Sequence, residues 1–253
     1  MTIPAGDISK MKKIVLYPLS LIFYLAFILV LLIFHVLQWG AFKFGYSAHK
    51  ATVDYLNFWL MACLYLIGNR CSFSNEHDLP EDKPLIIIAN HQSMFDIITL
   101  SWFLRKYHPK FISKIELGRG WPSVSFNLRH GGSVLIDRKN PRQSIPALTK
   151  FARYINTNAY AAVIFPEGTR SKTGRPKSFS TTGLKILLKN IPDAVIVPVA
   201  INNSWKLLKY GSFPINSGVN LKMDVLTPIQ VSSMSEDELL GKVEKLIKEN
   251  INL

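Results

Sequence analysis

Cysteine and the common metal-binding spacings are scarce in this chain. Its 253 residues include two cysteines, Cys63 and Cys71, too few for a disulfide-stapled fold, and we expect both to be reduced and structural. No Cys-x-x-Cys pair or histidine-rich spacing occurs, so the sequence predicts neither a metal site nor a cofactor. The Gly-x-Ser-x-Gly motif of a nucleophile elbow is also missing. Any chemistry is therefore expected from other arrangements of ordinary side chains.

Charge is missing from one long stretch near the N-terminus. Residues 14–34 are 21 positions without a formal charge, mostly Leu, Ile, Val and Phe. A helix of that length can cross a hydrocarbon core of roughly 30 Å. The alternative is a signal peptide with Lys10, Lys12 and Lys13 as its basic start. Its apolar region would be too long and no small-x-small cleavage site follows, so we favour a membrane segment that is retained.

A second apolar stretch, residues 55–68, is short for a complete crossing. Two arrangements follow for residues 1–70: a helical hairpin that crosses and returns, or two helices that dip into one leaflet. Both place the rest of the chain on the same side as the lysines at positions 10–13, and the positive-inside tendency makes that side the cytoplasm. A single crossing, or a plain anchor with no catalytic part, is the alternative.

Acidic residues are also few, 17 against 30 Lys and Arg, which gives a net charge of +13. In the segment 170–189 all charged residues are basic: Arg170, Lys172, Arg175, Lys177, Lys185 and Lys189. For each lysine alone, a solvated surface position is the simplest interpretation. Interleaved stacking aromatics are missing, so nucleic acid is not an expected partner. Beside a membrane segment, this charge favours anionic lipid headgroups and phosphorylated substrates.

Strand-like and helix-like segments alternate after residue 83, following a polar connector at 71–83. The predicted strands are short, rich in Ile and Val, and bounded by Pro, Gly, Asp or Asn: 85–89, 110–113, 133–136, 161–165, 194–199 and 219–225. Helices are predicted at 94–106, 144–156 and 181–189, and a last one begins with the capping-box spacing of Ser235 and Glu238. This alternation predicts an α/β domain over residues 71–253, with a largely parallel central sheet flanked by helices.

A histidine and a carboxylate lie close together just after the first predicted strand of this domain. They are His91 and Asp96, in the string Asn-His-Gln-Ser-Met-Phe-Asp at 90–96. Across a strand-to-helix turn, the carboxylate can reach Nδ1 of the imidazole and leave Nε2 for a substrate hydroxyl. A lone histidine is more often a core or surface residue. The end of a strand, where ligands of α/β sheets collect, favours a catalytic role.

A second string, Phe-Pro-Glu-Gly-Thr-Arg-Ser at 165–171, also follows an apolar run. Its proline and glycine form a tight turn that Glu167 can brace, and Arg170 can make a bidentate contact to phosphate. The alternative is an ordinary loop with a surface arginine. A third strand end delivers Arg138. If these strands are neighbours, the residues form one pocket that could activate a hydroxyl on a phosphorylated substrate.

Four motifs occur in order over residues 84–200: Asn-His-Gln-Ser-x-x-Asp, Ile-Asp-Arg, Phe-Pro-Glu-Gly-Thr-Arg-Ser and Val-Pro-Val. Together they resemble the blocks of the glycerolipid acyltransferases, above all the 1-acyl-sn-glycerol-3-phosphate (lysophosphatidate) acyltransferases. The membrane-associated N-terminus is similar as well. The resemblance implies a membrane enzyme that transfers an acyl chain from acyl-CoA or acyl carrier protein to the sn-2 hydroxyl of lysophosphatidate. The product would be phosphatidate, and no cofactor is implied.

The resemblance also implies roles for individual residues. His91 would be the general base and Asp96 its partner. The site for the acceptor's phosphate would comprise Lys114 of a Lys-x-Glu-Leu element, Arg138, Glu167, Gly168, Thr169 and Arg170. Pro198 would shape the pocket from behind, and Ser93 is expected to be structural. The chain departs from the family pattern at residues 118–122 and at Leu135, where an aromatic residue is frequent, which leaves acceptor and acyl-chain preference open.

Three alternatives remain at this point. The acceptor could be another lysolipid or glycerol 3-phosphate. The same histidine could activate water in a membrane-bound lipid hydrolase. A non-enzymatic lipid-binding protein could retain a relic pocket, although the intact His91 and Asp96 pair argues against it.

Overall fold

The computed structural model describes residues 5–252, with side chains from residue 13 onward. Its N-terminal part is a helical hairpin. Helix α1 (Ala5–Phe42) is followed by helix α2 (Tyr46–Leu66). Gly45 joins them with a positive φ of 94°, a conformation that glycine adopts without steric penalty. Among the described residues, α1 is the one helix both long and apolar enough to cross a membrane. The expectation of two N-terminal helices is confirmed, and their membrane character is supported for α1 alone.

Eight strands within the described residues form a single sheet. They are β1 (Arg70–Ser74), β2 (Leu85–Ala89), β3 (Lys110–Lys114), β4 (Val134–Ile136), β5 (Ala161–Ile164), β6 (Val195–Asn202), β7 (Asn220–Val225) and β8 (Ile229–Gln230). The order is β1-β7-β6-β2-β5-β3-β4, with β8 paired to β6. The strands from β6 to β4 run parallel, and β6 pairs with β7 and β8 in antiparallel orientation. The predicted largely parallel sheet is confirmed.

Helices cover both faces of this sheet, as the sequence of β2 requires. Leu85 and Ile87 point to one face and Ile86 and Ile88 to the other, because successive strand side chains alternate. All are buried, as expected for a central parallel strand. The first face packs against α1, α2 and α3 (Phe95–Phe103); the second packs against α5 (Pro141–Asn158), α6 (Thr182–Asn190) and α7 (Glu236–Glu249).

Helix α1 lies along the α/β domain and presents two different surfaces. Its inward stripe, buried against the domain, comprises Leu16, Phe23, Phe27, Leu31 and Phe34. Its outward surface is apolar but exposed, and includes Leu21, Leu25, Leu29, Leu32 and Val36. An exposed apolar surface of this extent marks an interaction site rather than ordinary solvent contact.

Several local expectations were wrong or incomplete. β1 lies within the predicted polar connector, where the sequence Arg-Cys-Ser-Phe-Ser has few apolar residues; its strand conformation comes from pairing with β7. Helix α4 (Val124–His130) lies in a stretch for which no element was predicted. Ser235 precedes α7 as expected, but its side chain caps none of the helix N–H groups that the structure describes. The helix predicted at 94–106 ends at Phe103 and continues as a 3-10 turn.

Candidate active site

The end of β2 is fixed to its neighbour β6 by side-chain to backbone hydrogen bonds. Asn90 Nδ2 donates to the Ile201 carbonyl (2.8 Å), and the Ile201 N–H donates to Asn90 Oδ1 (2.7 Å). Both groups are buried, and each satisfies the other's hydrogen-bonding requirement. The peptide that carries His91 therefore begins from a fixed point at the carboxyl edge of the sheet.

The structure brings His91 and Asp96 together. His91 Nδ1 lies 2.9 Å from Asp96 Oδ2, and the Asp96 side chain is 0% exposed in the first turn of α3. The N–H groups of Gln92 and Ser93 donate to the same oxygen at 2.7 and 2.9 Å. A carboxylate only accepts hydrogen bonds, so Nδ1 carries the proton and the lone pair is on Nε2.

The imidazole of His91 is held on one side by an aromatic ring. It stacks on Phe165, with ring centroids 4.1 Å apart and an interplanar angle of 18°. The side chain keeps 15% of its surface exposed, so Nε2 can be reached by a ligand. No role was predicted for Phe165; its position directly after β5, the strand next to β2, produces the stacking.

The turn at 165–171 is bonded to the His91 peptide on both sides. Glu167 Oε1 accepts the His91 N–H (2.8 Å), and Oε2 accepts the Lys177 N–H (2.8 Å). The Ser171 N–H donates to the His91 carbonyl (2.8 Å). Burial raises the pKa of Glu167, and these backbone donors together with His91 oppose that effect. Both Glu167 oxygens are engaged by backbone, so the observed contribution of this residue is to brace the turn.

The cationic candidates lie at the same edge of the sheet. Lys114 ends β3, Arg138 follows β4 and Arg170 follows β5, and all three side chains are exposed. The guanidinium of Arg138 donates to the Gly168 carbonyl, so the β4 end reaches across β3 to the turn. Gly168 has a φ of 71°, which a side chain would strain. His91, Arg138 and Arg170 therefore lie at one edge of the sheet. The adjacency on which the predicted pocket depended holds for β2 and β5 but not for β4, which is separated from β5 by β3.

Lys177 is a further cation at this edge, with no role predicted from the sequence. Its ammonium donates to Thr169 Oγ1 (2.6 Å) and to the Arg170 carbonyl (3.3 Å). Thr169 and Arg170 are thus presented by a turn that is itself held in place. Its membership of the basic run 170–189 was the one signal in the sequence.

The two departures from the family pattern touch each other. A methyl group at Gly118 would lie 2.6 Å from Leu135 Cδ1, so the glycine permits the close approach of Leu135.

Pro198 lies buried in β6 in register with Ile88, next to the strand that leads to His91. Among the described residues, no group of three or more His, Cys, Asp or Glu side chains could hold a metal ion.

Comparison with known proteins agrees with this geometry. The chain is 30% identical over 172 residues to a chloroplastic 1-acyl-sn-glycerol-3-phosphate acyltransferase of Arabidopsis thaliana, covering 68% of this chain and 46% of that protein. It is 29% identical over 197 residues to the 1-acyl-sn-glycerol-3-phosphate acyltransferase of Saccharomyces cerevisiae, covering 74% and 63%. The chain thus spans about half to two thirds of the length of these curated relatives.

The fold has a solved counterpart over nearly its entire length. The crystal structure of the 1-acyl-sn-glycerophosphate acyltransferase from Thermotoga maritima superposes with a TM-score of 0.76 at 22% identity, covering 95% of each chain. At that identity the likeness establishes the fold. The family model described as Acyltransferase matches residues 70–202, which include His91, Asp96 and the 165–171 turn. The chain therefore belongs to the acyltransferase family.

Proposed function

We propose that this protein transfers an acyl chain from an acyl thioester to the sn-2 hydroxyl of lysophosphatidate, giving phosphatidate. The observation that carries the proposal is the His91 and Asp96 pair, 2.9 Å apart, at the sheet edge that also carries Lys114, Arg138 and Arg170. Family membership supplies the reaction class. The relatives named above are 1-acyl-sn-glycerol-3-phosphate acyltransferases, which favours 1-acyl-sn-glycerol 3-phosphate as the acceptor.

The reaction needs a single base that later acts as an acid. His91 Nε2 takes the proton of the sn-2 hydroxyl while that oxygen attacks the thioester carbonyl. Asp96 accepts the hydrogen bond from the Nδ1–H group throughout, stays ionised, and balances the charge of the imidazolium. When the tetrahedral intermediate collapses, the C–S bond breaks and His91 returns the proton to the leaving thiolate. The products are the ester and a free carrier thiol, and no acyl-enzyme forms.

The cations position the acceptor. Arg170 and Arg138 can bind phosphate oxygens through guanidinium N–H groups, and Lys114 adds a third positive charge. Holding the phosphate brings the hydroxyl to Nε2, and such proximity can contribute on the order of 7 kcal/mol to lowering the barrier. The donor reacts through its thioester, a group that acyl-CoA and acyl carrier protein both present.

Contacts along α1 favour an arrangement in one leaflet. The Ile215 N–H donates to Ser20 Oγ (2.9 Å) near one end, and the Phe42 and Phe126 rings lie 5.8 Å apart near the other. Residues 20 to 42 span about 33 Å of helix, close to the thickness of a hydrocarbon core. If α1 crossed the bilayer, the domain attached along this length would be drawn in with it.

We therefore propose that the exposed face of α1 lies in one leaflet, with the α/β domain on the cytoplasmic surface. Lysophosphatidate would then reach the site laterally from the membrane. Spin labels placed at Leu25 and Val36, both on the exposed face, should report similar depths in bilayers. Depths that differ by most of a leaflet would contradict this arrangement.

The reaction is tested with purified full-length protein in detergent. Lysophosphatidate is supplied with oleoyl-CoA or oleoyl-acyl carrier protein, and phosphatidate and free thiol are both quantified. We expect phosphatidate from the wild type and from His77→Ala, a matched histidine in the loop after β1, and at least about a 10³-fold lower rate from His91→Ala. Release of free fatty acid without phosphatidate would instead indicate a hydrolase.

A further inference from the structure

We infer that Ser204 is a positioning residue that holds Asp96, and through it the imidazole of His91. The inference rests on the proposed function and extends it to a residue outside the four sequence motifs. Ser204 follows β6 in a 3-10 turn, Ser204–Leu208, and is 108 positions from Asp96 in the chain. Its hydroxyl donates to Asp96 Oδ1.

The hydrogen bonds of Asp96 divide sharply between its two oxygens. Oδ2 accepts from His91 Nδ1 and from the N–H groups of Gln92 and Ser93. Oδ1 accepts no backbone donor in the described structure; its partners are the hydroxyls of Ser204 and, at 3.3 Å, Ser93. A buried carboxylate needs donors on both oxygens, so the second oxygen depends on these two hydroxyls.

Ser204 is the closer of the two donors. Ser93 Oγ accepts the Phe95 N–H (3.1 Å) and contacts Ser204 Oγ, so its own proton is shared between Ser204 and Asp96. The shorter contact to Oδ1 belongs to Ser204. Removing the Ser204 hydroxyl therefore leaves Oδ1 with one long hydrogen bond, and the carboxylate gains freedom to rotate about its Cβ–Cγ bond.

The fold holds Ser204 at this position through its neighbours. Asn203 has a left-handed φ of 66°, which redirects the chain out of β6, and its side chain donates to the Asn220 carbonyl (3.0 Å). The Trp205 N–H donates to Gln92 Oε1 (3.4 Å), within the turn that carries His91. Ser204 itself is 0% exposed. The segment is thus bonded to β7 through Asn203 and to the turn that carries His91 through Trp205, which fixes the position of Ser204.

A buried serine could also serve stability alone, and the two roles differ in what they change. If Ser204 positions Asp96, its loss lowers kcat while the KM values for lysophosphatidate and thioester stay the same, because neither substrate touches it. A purely structural role lowers the melting temperature without a selective loss of kcat. Ser125 offers a matched control: it is buried in α4, and its hydroxyl donates to the Leu117 carbonyl (2.9 Å).

The experiment compares Ser204→Ala, Ser204→Thr and Ser125→Ala in the phosphatidate assay, with melting temperatures measured on the same samples. Loss of a hydrogen bond to a charged group should lower kcat of Ser204→Ala at least about tenfold and change KM less than about twofold. The threonine variant keeps the hydroxyl and should recover most of kcat. Ser125→Ala should lose melting temperature and keep kcat.

A second measurement is independent of turnover. In ¹⁵N-histidine spectra, we expect His91 of the wild type to be protonated at Nδ1, and Ser204→Ala to gain the Nε2-protonated tautomer. An unchanged kcat, an unchanged tautomer ratio, or a folded threonine variant as slow as the alanine variant would overturn the inference. If the wild type forms no phosphatidate, the proposed function fails, and the tautomer ratio decides the role of Ser204 by itself.

Discussion

Two histidines lie at opposite ends of the sheet in surroundings that look alike. His91 stacks on Phe165 at 4.1 Å and bonds Asp96 through Nδ1; His108 stacks on Tyr160 at 4.7 Å and bonds the Tyr46 hydroxyl through Nδ1 at 2.6 Å. The difference is the partner on Nδ1, a carboxylate at one end and a phenol at the other.

That difference favours His91 over His108 as the proposed base. The pKa of His108 is lowered to about 4, mainly by burial and also by the charges of Lys50 and Lys110. A histidine with so low a pKa is a weak base and a poor acceptor for a substrate proton at neutral pH. His91 has a carboxylate that stabilises the imidazolium, so the same side chain can accept a proton and return it. Stacking and a bonded Nδ1 are therefore insufficient to identify a catalytic histidine.

The cations at the two ends of the sheet differ in their exposure to solvent. Lys114 and Arg170 are exposed at the carboxyl edge, whereas Lys110, four residues before Lys114, is 6% exposed beneath the Tyr46 and Tyr160 rings. The pKa of Lys110 is lowered to about 8, mainly by burial and also by the charge of Lys50, while Asp54 opposes the shift. A phosphate can reach the first pair, while the buried ammonium is closed off by aromatic rings.

The largest difference should come from substituting, in separate variants, the residue that each histidine contacts through Nδ1. Asp96→Asn removes the negative charge and replaces one acceptor oxygen with an NH2 donor, so kcat should fall at least about 10²-fold. Tyr46→Phe removes the partner of His108 and should leave kcat within about twofold. Steady-state phosphatidate formation measures both. Comparable losses in the two variants would mean that the two histidines are not functionally different.

The cations provide the next test. Arg170→Met removes a proposed phosphate ligand and should raise KM for lysophosphatidate about 10- to 100-fold, since charged hydrogen bonds contribute about 1.5–3 kcal/mol. Lys110→Met removes a cation from the opposite end and should leave KM unchanged. Initial rates across lysophosphatidate concentrations distinguish them. If Lys110→Met raised KM as much as Arg170→Met, the acceptor site would extend to the wrong end of the sheet.

The smallest effect concerns stability and pH. The folded-state pKa of Lys110 lies below its ordinary value of 10.5, so between about pH 8 and 10.5 the unfolded chain binds more protons. The resulting penalty is complete below about pH 8 and is relieved as the pH rises through that window. It amounts to at most about 3 kcal/mol, reduced by the two aromatic rings, which favour the charged form.

Lys110→Met should therefore be more stable than the wild type at pH 7, and the difference should shrink by pH 10. Thermal unfolding in detergent at both pH values measures this. A difference that is independent of pH would mean that Lys110 is solvated in the folded protein. The variant should keep its phosphatidate activity in either case.

The parts of the molecule predicted from sequence depend on short-range patterns. β2 is a continuous apolar run between turn residues, and a central parallel strand needs little else. His91 and Asp96 are five positions apart, so one strand-to-helix turn brings them together. Arg138 and Arg170 follow strands, and parallel strands deliver their ends to one edge.

The missed elements depend on partners distant in the chain. β1 is a polar segment that becomes a strand through pairing with β7. Ser235 is a different, local case: its side chain does not form the capping hydrogen bond that the spacing predicted, because spacing alone does not determine the rotamer. Lys110 begins a strand like many surface lysines, and only the packing of α2 over β3 buries it.

The sequence by itself determined the alternation of helices and strands, the apolar α1, and the pairing of His91 with Asp96, since each depends on residues that are a few positions apart. The order of the strands was decided only by the tertiary structure. That order puts β6 beside β2 and so brings Ser204 to the second oxygen of Asp96 across 108 positions of chain. The packing of α2 likewise brings Tyr46 and Lys50, both distant in the chain, to His108, and the charge of Lys50 helps to lower the pKa of that histidine.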